Sequence, residues 1–324
     1  MPRPLVTLVH QDPSRPSARI RMIDLASHLA ARGFDVRLRR YEDGLPSEGI
    51  VVIQKKTPTW WSGRSWARIR GPLVYDFDDA VMYRDHPKDG SHESKTRAAR
   101  FGRAVQLADA FTPGNAYLAS FLPADKPHAI IPSAVPHEVA RRRHVDGGPL
   151  RVVWVGLGHN LRHLATLDPV WRRLASDGTD VELVVVSNES FETNECRVEN
   201  VAWSLEAQEQ TIASCDVGVM PLDADSPWTR GKCAYKLLQY MAAELPVVGS
   251  DVGMNREVVV PGEEGFLARD TEAWVEALSR IAASADSRAK MGAAGRRRVE
   301  TTYTYDAVAD RWAELLERLT PLRR

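Results

Sequence analysis

Three cations stand close together in DVGVMPLDADSPWTRGKCAYKLLQYMAAELPVVGSDVGMNREVV, the stretch that begins at Asp216: Arg230, Lys232 and Lys236. Val217 to Leu222 reads as a short apolar strand and DADSPWTRG as a loop. Lys232 to Ala243 reads as a helix, with Leu237, Leu238 and Met241 at helical spacing, and Pro246 to Gly249 as a second strand. Strand, loop, helix, strand is one turn of a parallel α/β sheet, whose ligands sit outside the carboxyl ends of the strands. The cations therefore fall at a strand end and in the first turns of a helix. There the macrodipole disfavours a cation by about 0.3 to 1 kcal/mol unless an anion intervenes. The pattern predicts a phosphate or diphosphate held between lysines and free backbone N–H groups. A solvated helix face is the other reading of a K-x3-K pair.

The strand RVVWVG runs into LGHNLRHLATL. Gly156-Leu157-Gly158 begins like a dinucleotide fingerprint, but Leu161 replaces its third glycine, and the motif opens the second half of the chain. The turn still offers backbone N–H groups at a helix start, with Asn160 and Arg162 in reach of a phosphate. His159 and His163 read as surface histidines. In the first half, VYDFDDAVMYRD sets Asp76, Asp78 and Asp79 where an apolar strand ends. Carboxylates so close repel unless a cation, a hydrogen-bond donor or a raised pKa relieves them. A D-x-D metal site is one reading, and helix caps or a pair with Arg84 is another.

The stretch from Asp216 resembles the donor-binding region of retaining GT-B glycosyltransferases of glycosyltransferase family 4. The likeness is to a bacterial branch with PW-x-x-GK-x-x-YKLL-x-YMA followed by PVV and V-G-x-N. It rests on Pro227, Trp228, Gly231, Lys232, Tyr235, Lys236, Leu237, Leu238, Tyr240, Met241 and Ala242, then Pro246, Val247, Val248, Gly253 and Asn255. The wider family carries two glutamates eight residues apart where this chain has Gly231 and Gln239. Gln239 can still hydrogen-bond a ribose, and Asp223, Asp225 and Arg230 are the candidates to hold the donor sugar. Glu244 stands where the family has a glycine after the helix.

The resemblance implies a donor site of Gly156, Asn160, Asp223, Trp228, Arg230, Gly231, Tyr235, Gln239, Gly253 and Asn255. Lys232, Lys236 and Arg162 would neutralise the leaving diphosphate. Asp78 falls where the family has a histidine beside the reacting sugar, so Asp78 or Asp79 would orient or deprotonate the acceptor hydroxyl. GT-B enzymes generally work without a bound metal, and neither metal nor cofactor is expected. Other pieces of the first half also resemble the branch: Ser17, Arg19 and Arg21 in SARIR, Gln54, Lys55 and Lys56 ending VVIQKK, and Asn115 ending TPGN. Arg19, Arg21, Gln54, Asp79 and Asn115 are thus acceptor-side candidates, with plain surface charge as the other reading of the two arginines. Trp60 and Trp61, in a polar loop, could stack on a sugar, enter a lipid interface or pack in the core.

The elements that must position these residues alternate throughout. Strands are expected at Leu5–His10, Val36–Arg39, Ile50–Gln54, Leu73–Asp76, Ala110–Pro113 and His128–Pro132, with helices near 18–32, 92–107 and 115–121. In the second half strands fall at Arg151–Gly156, Val181–Ser187, Val201–Ala202, Val217–Leu222, Pro246–Gly249 and Gly265–Ala268. That alternation predicts an α/β protein of two doubly wound, Rossmann-like parallel sheets. The chain has 324 residues, enough for two domains of about 150 residues each. A polar Gly-Gly-Pro linker at 144–150 divides an acceptor-side domain, 1–147, from a donor-binding domain, 148–304. The resemblance adds that these domains face a cleft and that the last helix, about 305–324, crosses back onto the first, burying Trp312, Leu315 and Leu316.

Residues 1–150 hold 23 Lys plus Arg against 16 Asp plus Glu, and residues 151–324 hold 20 against 27. A basic half can steer an anionic acceptor, rest on an acidic membrane surface as a peripheral contact, or attract the acidic half. Cys196, Cys215 and Cys233 have no metal spacing, no apolar run approaches a membrane span, and the start of the chain does not read as a signal peptide. A cytoplasmic protein is expected, peripheral at the inner membrane face if the basic half docks there, with no nucleic-acid partner. The implied reaction moves a sugar from a nucleoside diphosphate sugar to a hydroxyl acceptor (a glycan, a lipid-linked sugar or a small molecule) with retention of configuration. A catalytically silent sugar-nucleotide-binding protein and a nucleotide-sugar epimerase are the alternatives.

Overall fold

The structure is a computed structural model that describes residues 3–222 and 225–320. In chain order the elements begin β1 (Leu5–His10), α1 (Pro16–Ala18), α2 (Leu25–Ala31), β2 (Asp35–Arg40), β3 (Ile50–Gln54), α3 (Gly63–Trp66), β4 (Leu73–Phe77), α4 (Lys95–Leu107), β5 (Ala110–Pro113) and α5 (Ala116–Ala119). They continue with β6 (Leu150–Val155), α6 (Leu161–Ala165), α7 (Asp168–Ser176), β7 (Val181–Ser187), β8 (Arg197–Ala202), α8 (Leu205–Ser214), β9 (Val217–Met220), α9 (Pro227–Arg230), α10 (Tyr235–Ala242), β10 (Val247–Ser250), α11 (Asn255–Val258), β11 (Gly265–Ala268), α12 (Thr271–Ala282), α13 (Ala285–Thr302) and α14 (Tyr305–Leu319). The chain divides into one unit of Met1–Ala134, Ser226–Cys233 and Tyr303–Arg324, and a second of Val135–Asp225 and Ala234–Thr302.

In the first unit the apolar runs of β1, β3 and β4 are buried almost throughout, as expected for strands covered on both faces. The sheet order is β2-β1-β3-β4-β5 and every pairing is parallel. In this doubly wound order the switch point lies between β1 and β3. The helix expected near 18–32 is broken by a π-helical turn, Arg19–Ile23, between α1 and α2. The strand expected at His128–Pro132 does not form. The N–H groups of Ala129 and Ile131 donate to the carbonyls of Phe111 and Pro113, and Phe111 N–H donates to Pro127 O. Pro127 and Pro132, which have no N–H, close the segment before a regular ladder develops. The amphipathic α14 closes this unit's core, with Trp312, Leu315 and Leu316 buried among Val6, Leu25 and Leu29.

In the second unit the order is β11-β10-β9-β6-β7-β8, again all parallel. Counted from β6, this is the 3-2-1-4-5-6 Rossmann order, whose switch point lies between β6 and β9. Its core joins Trp154, Trp171, Val219 and Leu278. β8 starts at Arg197, ahead of the expected Val201, because the edge strand is too polar to announce itself. No helix among the described residues is long and apolar enough to cross a membrane.

Candidate active site

Within the first unit, four charged side chains gather at the carboxyl ends of β3 and β4. Lys55 follows β3 in a left-handed backbone conformation, φ 57°, and its Nζ lies 3.1 Å from Asp78 Oδ1 and bonds Asp79 Oδ2. Lys232 Nζ donates to Asp79 Oδ1 at 3.0 Å and sits 4.5 Å from the centre of the Trp228 ring. Asp79 thus stands between two ammonium groups. Burial opposes its charge, but Lys232 and Lys55 outweigh burial and hold the carboxyl well below the usual range. Burial likewise opposes the charge of Lys55, while Asp78 and Asp79 keep it above its ordinary value. Of the three carboxylates read as a possible D-x-D metal site, Asp78 and Asp79 therefore face lysines. Among the described residues no group of three His, Cys, Asp or Glu is placed to hold a metal ion.

Asp76 is the third carboxylate and is fully buried. Arg21 Nε donates to its Oδ2 at 2.9 Å and Thr112 Oγ1 to its Oδ1 at 2.8 Å, and Arg21 Nη1 reaches Ile131 O at 3.0 Å. The expectation that Arg21 meets a substrate anion is corrected: only 3% of it is exposed, and its guanidinium serves Asp76. Asn115 is also spent internally. Its Oδ1 caps α5 by accepting from Leu118 N–H at 2.8 Å, and its Nδ2 donates to Lys232 O at 3.1 Å. Asn115 thereby pins the backbone that carries Lys232. Arg19 is half-buried and pairs with Asp24 at 3.6 Å. Gln54 is buried, and among the described residues its Nε2 has no hydrogen-bond partner.

The helix expected from Lys232 to Ala243 starts only at Tyr235. Pro227 instead opens the separate one-turn α9, capped reciprocally by Ser226 and Thr229, and Ala234 adopts the left-handed φ of 51° that breaks the two apart. Lys232 is therefore in a link and not in a helical first turn, and its balancing anion is Asp79. Gly231 explains the absent glutamate: a Cβ there would lie 2.7 Å from Ala80 Cβ and 2.8 Å from Ala80 N, with no room for a side chain. Asp223 lies outside the described residues. Arg230 is exposed and Trp228 half-buried.

In the second unit Gly156 directly follows β6. A Cβ on it would come within 2.4 Å of the Trp154 ring. Gly158 to Asn160 form a 3-10 turn that leads into α6, so Asn160 and Arg162, both half-buried, follow the carboxyl end of β6. Lys236 is the second residue of α10, and its Nζ lies 4.8 Å over the Trp154 ring. Val155 N–H, at the end of β6, donates to Tyr240 Oη at 2.9 Å. Tyr235 and Gln239 are half-buried on the same helix. Gly253 has φ 52°, and Asn255, 1% exposed, donates to Ser250 O at 2.9 Å, which fixes the end of β10. His159 is exposed as expected, but His163 is buried, because it turns toward the core side of α6. Glu244 keeps the left-handed turn usual for glycine, φ 62°.

Residues 149–284 match the family model described as Glycosyl transferases group 1. An 81-residue stretch is 30% identical to spore coat protein SA of Bacillus subtilis, covering 24% of this chain and 22% of that protein. Among solved structures, sucrose-phosphate synthase of Thermosynechococcus elongatus aligns with a TM-score of 0.75 at 16% identity, over 98% of this chain and 100% of that one. A glycosyltransferase of Rickettsia africae gives 0.74 at 11%, over 99% and 100%. The Anabaena protein HepE, in complex with UDP and glucose, gives 0.70 at 14%, over 98% and 100%. With the two parallel sheets, these likenesses show a GT-B fold. Sequence reading missed that Lys55 joins the carboxylate cluster and that Asn115 holds the Lys232 segment. The position of Lys55 directly after a buried strand was the available signal.

Proposed function

We propose that this chain is a retaining, metal-independent glycosyltransferase that moves a hexosyl group from a nucleoside diphosphate sugar to a hydroxyl acceptor. The observation that carries the reading is the pair of cations at the switch point of the second unit's sheet. Arg162 follows β6 and Lys236 is the second residue of α10, on the connection from β9 to β10; β6 and β9 are the strands that flank the switch point in this strand order. Cations and free N–H groups there suit a diphosphate. In the reaction, Lys236 and Arg162 neutralise charge on the departing diphosphate. Removing one such group costs a few kcal/mol of barrier, by analogy with about 2.7 to 4 for an oxyanion-hole donor. Asp78, steadied by Lys55, accepts the hydrogen bond of the acceptor hydroxyl. Retention follows if the leaving phosphate oxygen guides that hydroxyl onto the face it vacates. Gln239 is assigned to the ribose. The UDP and glucose held by the Anabaena protein support a uridine diphosphate sugar as the first donor to try.

A thermal-shift panel of UDP, GDP, ADP and TDP sugars, with NAD as control, tests the donor site on wild type and on Lys236→Ala. One nucleotide class should stabilise the wild type, by about 2.7 kcal/mol at a hundredfold excess over Kd, and should fail on the variant. A shift by NAD alone, or an equal shift in the variant, refutes the assignment. Donor binding without transfer to any hydroxyl acceptor would leave the silent binding protein as the correct reading.

A further inference from the structure

Two tryptophans, Trp60 and Trp61, are 68% and 72% exposed, on the loop between β3 and α3. The turn that lifts them is rigidly built. Thr59 N–H donates to Ser62 Oγ at 2.8 Å, Ser62 N–H returns the bond to Thr59 Oγ1 at 3.2 Å, and Gly63 N–H donates to Thr59 O at 2.9 Å. Trp66, five residues on, points inward, 1% exposed, with its Nε1 donating to Tyr41 Oη at 3.0 Å. One short segment therefore buries one indole and displays two, which rules out the core-packing reading for the pair.

The surroundings are cationic. Between Lys56 and Tyr75 and between Ser94 and Ala108 there are eight lysines and arginines and no carboxylate. Arg64 lies 5.0 Å over the Trp61 ring and Arg103, from α4, 4.4 Å over the Trp60 ring. Arg103 reaches that place because residue 63 is glycine: a Cβ there would stand 2.4 Å from Arg103 Nε. Arg70 pairs with Glu48 and Arg97 with Asp85. Among the described residues no carboxylate lies within ion-pair distance of Arg64, Arg68, Arg100 or Arg103.

We propose that Trp60, Trp61 and the arginines around them form a docking surface for an anionic lipid bilayer. Indoles favour the level of the lipid headgroups, and basic side chains nearby add attraction to an acidic leaflet. Exposed indoles and basic side chains on one projecting turn together suit the headgroup level of an acidic leaflet. Lys55 of the carboxylate cluster is five residues from Trp60, at most about 18 Å of extended chain. On the glycosyl-transfer reading this holds the acceptor side near the bilayer and favours an amphiphilic acceptor; the docking itself does not depend on that reading.

The test is flotation of the full chain with vesicles of phosphatidylcholine alone and of phosphatidylcholine with phosphatidylglycerol, repeated for Trp60→Ser/Trp61→Ser and for Arg64→Glu/Arg68→Glu/Arg100→Glu. A single-stranded oligonucleotide serves as a soluble polyanion, and thermal melting checks that each variant is folded. Wild type should favour the anionic vesicles by roughly tenfold or more, and each variant should lose roughly tenfold or more of that binding with its melting unchanged. Quenching of tryptophan fluorescence by brominated lipid should fall in the tryptophan variant. Absence of wild-type binding to anionic vesicles overturns the proposal, as does a folded tryptophan variant that binds like wild type. Binding of the oligonucleotide in preference to vesicles would also overturn it and make the patch a nucleic-acid surface. Loss of donor-induced stabilisation without loss of flotation would count against the enzyme reading and leave this one standing.

Discussion

Asp79→Asn removes the carboxylate shared by two lysines. The Asp79 side chain is 18% exposed, Lys55 19% and Lys232 25%, so solvent screens the cluster only in part. At 3.0 Å and an effective dielectric near 20, the Asp79–Lys232 attraction is about 5 kcal/mol gross. Desolvation offsets most of it, and a hydrogen bond between charged groups retains about 1.5 to 3 kcal/mol. Asp79→Asn leaves Lys55 facing Asp78 alone and Lys232 facing the Trp228 ring. Urea unfolding at neutral pH should show a loss of about 2 to 3 kcal/mol for Asp79→Asn. Lys232→Met alone should cost less, since Lys55 still pairs with Asp79. The double variant should fall short of the sum by about 1.5 kcal/mol or more. The folded carboxyl is held below its ordinary value, so its contribution is complete above the unfolded value of about 4 and fades as pH falls from there toward the folded value. Lys55 is raised, so its share is complete below about 10.4 and fades at higher pH. The coupling should therefore be flat between about pH 6 and 9 and shrink in acid. A coupling below about 0.5 kcal/mol, or one that changes across neutral pH, would refute the Lys–Asp–Lys arrangement.

Two further outcomes follow from buried contacts. Arg21→Met leaves the fully buried Asp76 with Thr112 alone and should cost about 3 to 5 kcal/mol in the same urea assay; Arg21→Met with Asp76→Leu should recover much of it. A loss under about 1 kcal/mol would mean that water reaches Asp76. Gly231→Glu, which restores the glutamate of the resembling family, should destabilise by about 1 to 3 kcal/mol or more, because its Cβ alone meets Ala80 at 2.7 Å. Gly102→Ala, in α4 with nothing within 4 Å of the added carbon, is the control and should stabilise by about 0.5 to 1 kcal/mol. A Gly231→Glu protein as stable as wild type would show that Ala80 yields.

The strands were legible because a parallel sheet buried on both faces favours near-continuous apolar runs, and β1, β3, β6 and β7 are mostly apolar, with Arg151 and Glu182 near the starts of β6 and β7. β8 was half-hidden because its edge position tolerates Arg197 and Glu199. At the site, residue types were legible and their partners were not. Lys232 looked like a helical cation short of an anion, and the inference that something negative sits beside it was sound in chemistry. The negative group in this structure is Asp79, 153 positions away in the chain, and no local spacing could have revealed it. Arg21 and Asp76 misled in the same way: each looked available because its partner is 55 residues distant. Gly231 carried the reverse lesson. Set against the resembling family it read as the loss of a glutamate that would help hold the donor sugar, whereas the contact with Ala80 makes glycine a packing requirement. The cluster that results holds Lys232 by charge against Asp79. On the proposed reading, a donor phosphate that meets Lys232 would have to compete with Asp79, 3.0 Å from its Nζ, so the carboxylate that positions this cation would also weaken its hold on phosphate.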